Sequence, residues 1–203
     1  MNSDLKDNSQ AATSSVSIEQ IENNVLQHLS EKYDCQFECV GKSKPSVLDK
    51  TYSLSVVRTN RSYDEEGFNA YYLPEENEYR DNYWGIIARD KIDSIVMPLL
   101  TKNSKVFSEP TAAYYSEQLN FESSIEDASP LSVNLYIFSD NNNFDADIVI
   151  ETLRSKGITG IIKFYSLESS IVEDLDYSDF STTISSIAVG KIKAETQETY
   201  FIE

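Results

Sequence analysis

The 203 residues carry 34 acids against 17 Lys and Arg, a formal charge of −17. The acidity is spread, with 17 acids and 11 bases in 1–103 and 17 and 6 in 104–203, and it disfavours phosphate backbones and anionic membrane surfaces, which need clustered Lys and Arg. Hydrophobic residues at 40% suit a globular chain long enough to fold without staples, and no run of 18 apolar residues offers a membrane span. A basic protein partner, or plain solubility, fits the charge.

Residues 1–16 are mostly Ser, Asn, Asp, Gln and Ala, which reads as a polar flexible tether without a signal-peptide core. Ser17-Ile18-Glu19-Gln20 forms a capping box. Ile18, Ile21, Val25, Leu29 and Tyr33 recur at helical spacing, predicting a helix over 18–33. A strand over 35–41 follows. It puts Cys35, Phe37 and Cys39 on one face, with the two cysteine Cα atoms ~13 Å apart, beyond disulfide reach. Two half-buried thiols are expected, although a bulge or helix there permits a bridge. His28, the only histidine, and the two cysteines are too few for a zinc site.

Residues 51–59 and 68–73 alternate as strands of a hairpin-like pair around the acids at 64–66. An acidic turn at 74–78 leads into a helix over 82–97, with Asp81 as its cap and Pro98 at its end. Strands are predicted at 104–109 and 112–116, and irregular chain at 121–130. Residues 131–138 read as a central strand, and Asp145 and Asp147 open a helix that Gly157 ends. With a strand at 158–166 this order fits a parallel crossover. A short acidic helix at 168–176 and a closing hairpin of 182–193 and 198–202 complete the reading.

Two segments carry a resemblance, residues 29–37 (Leu-Ser-Glu-Lys-Tyr-Asp-Cys-Gln-Phe) and 80–84 (Arg-Asp-Asn-Tyr-Trp). In them the first half resembles a group of uncharacterised Gram-positive proteins, often surface lipoproteins, with a cystatin-like domain. The resemblance implies an exported Gram-positive protein with a helix on a curved sheet, and it offers no catalytic residues. The chain departs from the group in having no lipid-anchor cysteine near its start. The expected fold is therefore α+β. A helix packs on a curved antiparallel sheet in 17–103, and a mixed α/β second half in 104–203 shares that sheet or forms its own.

Candidate sites are two. Tyr71, Tyr72, Tyr79, Tyr83 and Trp84 surround the acidic turn and suit a basic peptide or an amine, or else a core. Asp140, Asn142 and Asp145 put hard oxygens between a strand end and a helix start, which suits calcium or a turn with a helix cap. An EF-hand counted from Asp140 fails at its fifth and sixth positions, Phe144 and Asp145. One histidine leaves little material for a nucleophilic triad, and Asn60-Arg61-Ser62 matches a glycosylation acceptor, which the bacterial origin that the resemblance implies would make incidental. The expected function is a non-enzymatic, exported or surface-associated interaction module without a cofactor. The alternatives are an acidic intracellular inhibitor of a basic toxin and a metal-dependent enzyme.

Overall fold

The computed structural model describes residues 17–43, 45, 50–60, 67–110, 118–177 and 179–203. The polar segment 1–16, the acids at 64–66, positions 61–62 of the acceptor match and the predicted strand 112–116 lie outside the described residues. The fold is α+β, with helices and two four-stranded sheets.

The first unit begins with helix α1 (Ile18–Tyr33), whose Ser17 side chain accepts from the Gln20 amide at 3.2 Å. Asp34, in the left-handed region at φ 48°, ends the helix and turns the chain into β1 (Phe37–Ser43). Strands β2 (Tyr52–Arg58), β3 (Phe68–Leu73) and β4 (Glu78–Asp81) follow, and the antiparallel order is β1-β2-β3-β4. Ile21, Val25, Leu29 and Tyr33 seal α1 onto Leu54, Val56, Phe68 and Ala70. Each such fully buried large apolar side chain contributes roughly 1.5–3 kcal/mol. A bulge falls between Cys39 and Gly41, beyond both cysteines, and neither cysteine is in a disulfide; both are half-buried. β4 went unpredicted because four residues, Glu78-Tyr79-Arg80-Asp81, are too short a run to show alternation above a turn-like composition.

Helix α2 (Tyr83–Val96) serves both units. Tyr83 enters the first core, while Trp84, Ala88, Ile92 and Val96, at four-residue spacing, pack in the second. The helix ends at a 3-10 turn holding Pro98. Asp81 is not its cap: Asn82 takes that position and its side chain accepts from the Asn69 amide at 2.8 Å. Asp81 still accepts the Tyr83 amide, at 3.0 Å.

The second sheet has the order β5-β6-β7-β8, from β5 (Ser104–Pro110), β6 (Leu131–Ser139), β7 (Ile158–Ser166) and β8 (Thr196–Ile202). The strands thus form two sheets, and the idea of one shared sheet is corrected: β4 and β5 do not pair. The predicted crossover is present, since β6 and β7 run parallel and helix α3 (Ala146–Ser155) joins them. β6 is buried on both faces. Leu131, Val133, Leu135 and Ile137 meet α2 and α3, whereas Tyr136 and Phe138 meet α4 (Ser169–Asp174) and α5 (Phe180–Ala188). The predicted closing hairpin is overturned, because residues 180–188 are helix α5. Its Ser, Thr and Ile content suits a strand, but Phe180, Ile184 and Ile187 fall on one helical face and dock on Phe107, Tyr136 and Tyr165. Among the described residues no helix is long and apolar enough to cross a membrane.

Around the β5 edge, Ser108 Oγ donates to the Arg89 carbonyl (3.2 Å), the Tyr177 hydroxyl donates to the Ser108 carbonyl (3.3 Å), and the Arg89 guanidinium stands 4.9 Å from the Tyr177 ring centre. Asp93, one turn beyond Arg89, keeps Oδ1 buried without a hydrogen-bond partner among the described residues. Burial pushes its carboxyl from 3.8 up to about 7, with Asp90 adding to the rise and Ser108 and Arg89 opposing it. The folded state therefore holds a proton that the unfolded chain releases. Asp93's contribution to stability is full below pH 3.8 and is lost as pH rises through about 7. Asp93→Asn is expected to raise stability at pH 8 by roughly 1–3 kcal/mol and to change it little at pH 4. Urea unfolding of both proteins at the two pH values checks this, and an equal effect at both would contradict it.

Candidate functional site

The two parallel strands define a particular end of the second sheet. After β6 the chain leaves to α3 on the α2 face, and after β7 it leaves to α4 on the opposite face. Neighbouring parallel strands whose connections diverge in this way leave a crevice at their carboxyl ends, the place where open α/β sheets bind ligands. The registers Ser104↔Ser139, Ser139↔Ser166 and Ser166↔Thr196 bring the start of β5, the ends of β6 and β7 and the start of β8 to this one edge.

The 140–145 segment shapes the crevice. Phe144 folds back and stacks on Phe164, with ring centres 4.8 Å apart and planes 4° from parallel, and the Tyr200 ring meets its edge at 5.5 Å. Asn141 accepts from the Asn143 amide at 2.9 Å, and Asp145 caps α3 by accepting from the Ile148 amide at 3.3 Å. Asp140 accepts from the Asn103 side chain (2.8 Å) and from the Ser169 hydroxyl (3.1 Å), which ties both neighbouring loops to the rim. Between these groups lies a crevice of about 190 Å³, lined by Thr101, Ser104, Ile137, Ser139, Phe164 and Asp145 among others. An open basin of about 520 Å³ adjoins it, lined by Asn143, Phe144, Asp145, Asp147 and Tyr200.

The hydroxyls in the crevice are largely committed to one another. Three hydroxyls form a closed triangle, with Thr101 to Ser104 at 2.9 Å, Thr101 to Ser139 at 3.2 Å and Ser104 to Ser139 at 3.1 Å. The Asn141 amide donates to Ser139 at 3.2 Å. Beside the lining, at the register partner of Ser139, Ser166 is 1% exposed, and its hydroxyl has no hydrogen-bond partner among the described residues. No Lys, Arg or His is among the described residues that line either space. Segments 101–103, 140–147, 167–174 and 191–198, which border this end, hold eight acids and three lysines. Burial, then the Glu198 carboxylate that accepts its hydrogen bond, pushes the Tyr200 phenol up to about 12, so it stays a neutral donor.

The predicted sites fare differently. Tyr83 and Trp84 are each 1% exposed, within the cores, and the Trp84 indole donates to the Asn120 carbonyl at 3.1 Å. Neither side chain can meet a ligand, because the aromatic run falls on the face of α2 that the sheets cover. Tyr79 stacks between His28 (4.6 Å) and Tyr72 (5.0 Å) along the seam of α1 and the first sheet. Tyr71 leaves β3 on the face opposite Tyr72, opposite Arg80 in register. The five aromatics therefore do not converge. The acids of the neighbouring turn are matched by cations: Glu75 pairs with Lys50, and Glu76 and Glu78 pair with Arg80 at 3.1 and 2.7 Å.

Asp140 and Asp145 both border the crevice end, where Asp140 Oδ2 is engaged by Asn103 and Ser169 and Asp145 Oδ1 by the α3 cap, and Asn142 is exposed. No group of three or more His, Cys, Asp or Glu able to hold a metal occurs among the described residues. Thr101, Ser104, Phe164, Ser166 and Tyr200 escaped the sequence reading. Only the strand register reveals them, and single Ser and Thr residues at strand ends give no signal. No protein family, no characterised protein and no solved structure matches the chain.

Proposed function

We propose that this protein is a non-enzymatic interaction module, exported or surface-associated, that receives a basic protein partner at the carboxyl end of its second sheet. The observation that carries this reading is the lining of the two concave spaces there, which present Asp145 and Asp147 and no base, in a second half that is acidic throughout with 17 acids to 6 bases. Carboxylates held at a concave edge focus the field and steer cationic groups, and they discriminate against anionic partners. The paired acids of the first unit supply less of such a field, since Lys50 and Arg80 neutralise them.

A fluorescent ten-residue oligolysine tests the proposal. It should bind, and its affinity should fall at least about tenfold between about 50 and 500 mM salt, as screened surface charge requires. Oligoglutamate should not bind. Oligolysine affinity that ignores salt, or no binding at low salt, would reject the proposal. An intracellular inhibitor of a basic toxin would use the same face. Fractionation of cells making the full-length protein separates the two, because an exclusively cytoplasmic pool favours the inhibitor.

A further inference from the structure

We infer that the crevice at the ends of β6 and β7 seats a primary alkylammonium, the head of a lysine side chain of the basic partner. This rests on the proposed acidic-face reading and makes it specific.

Size comes first. A volume of about 190 Å³ holds about six waters at ~30 Å³ each, which matches an ammonium and a short methylene stem rather than a folded peptide. The walls come next. Ile137 and Phe164 offer apolar surface to the stem, as the methylenes of lysine require. The free donors and acceptors select the head group. Three hydroxyls in a closed triangle use their three protons and three of their six lone pairs. The Asn141 amide takes a fourth lone pair, so two stay open. Asp145 adds a carboxylate at the mouth, of which Oδ1 serves the helix.

Ser166 gives an independent pointer. Ile162 and Phe164 lie in the core beneath the crevice, and strand alternation sends Ser166 from that same face, beside its register partner Ser139. Its buried hydroxyl, next to the lining residues, lacks a partner among the described residues; its oxygen can accept from a ligand, and its own proton is equally unsatisfied, so it marks an uncompensated polar atom at this spot. An ammonium carries three donors and no acceptor, so it answers the two open lone pairs of the triangle and the second oxygen of Asp145. A guanidinium offers a flat fork suited to a free carboxylate, and here one oxygen of Asp145 is already engaged. Anions meet no cation in the lining.

The test is an amide-resolved NMR titration of the full chain with n-butylammonium chloride, alongside n-butanol and n-butylguanidinium. The expected result is saturable shifts at Ser139, Phe144, Asp145 and Ser166 with butylammonium, and weaker ones with the two analogues. Asp145→Asn keeps the helix cap, because Asn caps as well as Asp. It should weaken butylammonium about tenfold through the lost charge. Ser166→Ala should weaken it too, without lowering stability. Silent crevice amides, equal shifts from butanol, or an affinity unchanged in both variants would overturn the seat. If oligolysine still binds salt-sensitively in that case, the acidic-face reading stands and only the seat is lost. If oligolysine also fails to bind, both fall.

Discussion

Replacing Asp81 with alanine should cost about 3–5 kcal/mol of unfolding free energy, the range seen when one partner of a buried ion pair is removed. This carboxylate is 2% exposed and gathers three elements. Lys32 Nζ, from α1, stands 2.7 Å from Oδ2, and the Tyr33 hydroxyl donates to Oδ1 at 2.7 Å. The Tyr83 amide, at the start of α2, donates to the same Oδ1. Burial, and then the neighbouring Asp81 charge, push the Tyr33 phenol far above its ordinary range, so Tyr33 stays a donor. Alanine would leave an ammonium, a phenol and an amide without their acceptor in an apolar setting. The double variant Lys32→Met with Asp81→Leu should recover much of the loss, because it also removes the stranded cation. Urea unfolding of the three proteins provides the check. A loss under about 1 kcal/mol, the scale of an exposed pair, would show that the network does not hold the first unit to α2.

Gly160→Ala should be at least as damaging. Gly160 sits three residues into β7 at φ 131°, a conformation that side-chain-bearing residues rarely adopt. A Cβ there would fall 2.0 Å from the Val133 carbonyl oxygen and 2.8 Å from its nitrogen, both backbone atoms of the parallel neighbour β6. Neither atom can move without opening the β6–β7 ladder, in which Val133 and Gly160 are direct partners. A loss of at least ~3 kcal/mol is expected, in the class of strained backbone and overpacked core. Thermal unfolding by near-ultraviolet circular dichroism would report it. Gly190→Ala is the comparison: its φ of 72° is also positive, yet a Cβ there meets nothing within 4 Å, so only the backbone term of about 1–2 kcal/mol remains. Equal effects at the two glycines would contradict the close approach of β6 and β7.

Much of the first unit, and one strand of the second, is legible in the sequence. A cap at Ser17 and apolar residues at Ile21, Val25, Leu29 and Tyr33 define α1, and the strands at 68–73 and 158–166 have the bounds that composition predicts. Residues 180–188 went astray because β-branched and hydroxyl side chains favour a strand locally, and only docking on Phe107 and Tyr136 selects the helix. That α2 joins two cores was illegible for a related reason. Tyr83 and Trp84 are adjacent in sequence, but their side chains leave the helix in different directions, one toward each sheet. At the candidate site, the oxygen-rich stretch from Ser139 to Asp147 stood out as a cluster. Its partners Thr101 and Ser104, and Tyr200 at the far end of the chain, come into place only through strand register, which no local pattern encodes.

The most direct measurement is an amide-resolved map of where oligolysine touches the chain at low salt. Shifts concentrated at 139–147, 166–169 and 196–200, fading as salt rises, are the predicted result. Shifts centred instead on the Glu75–Glu78 turn, or spread evenly over both units, would contradict a binding face at the carboxyl end of the second sheet.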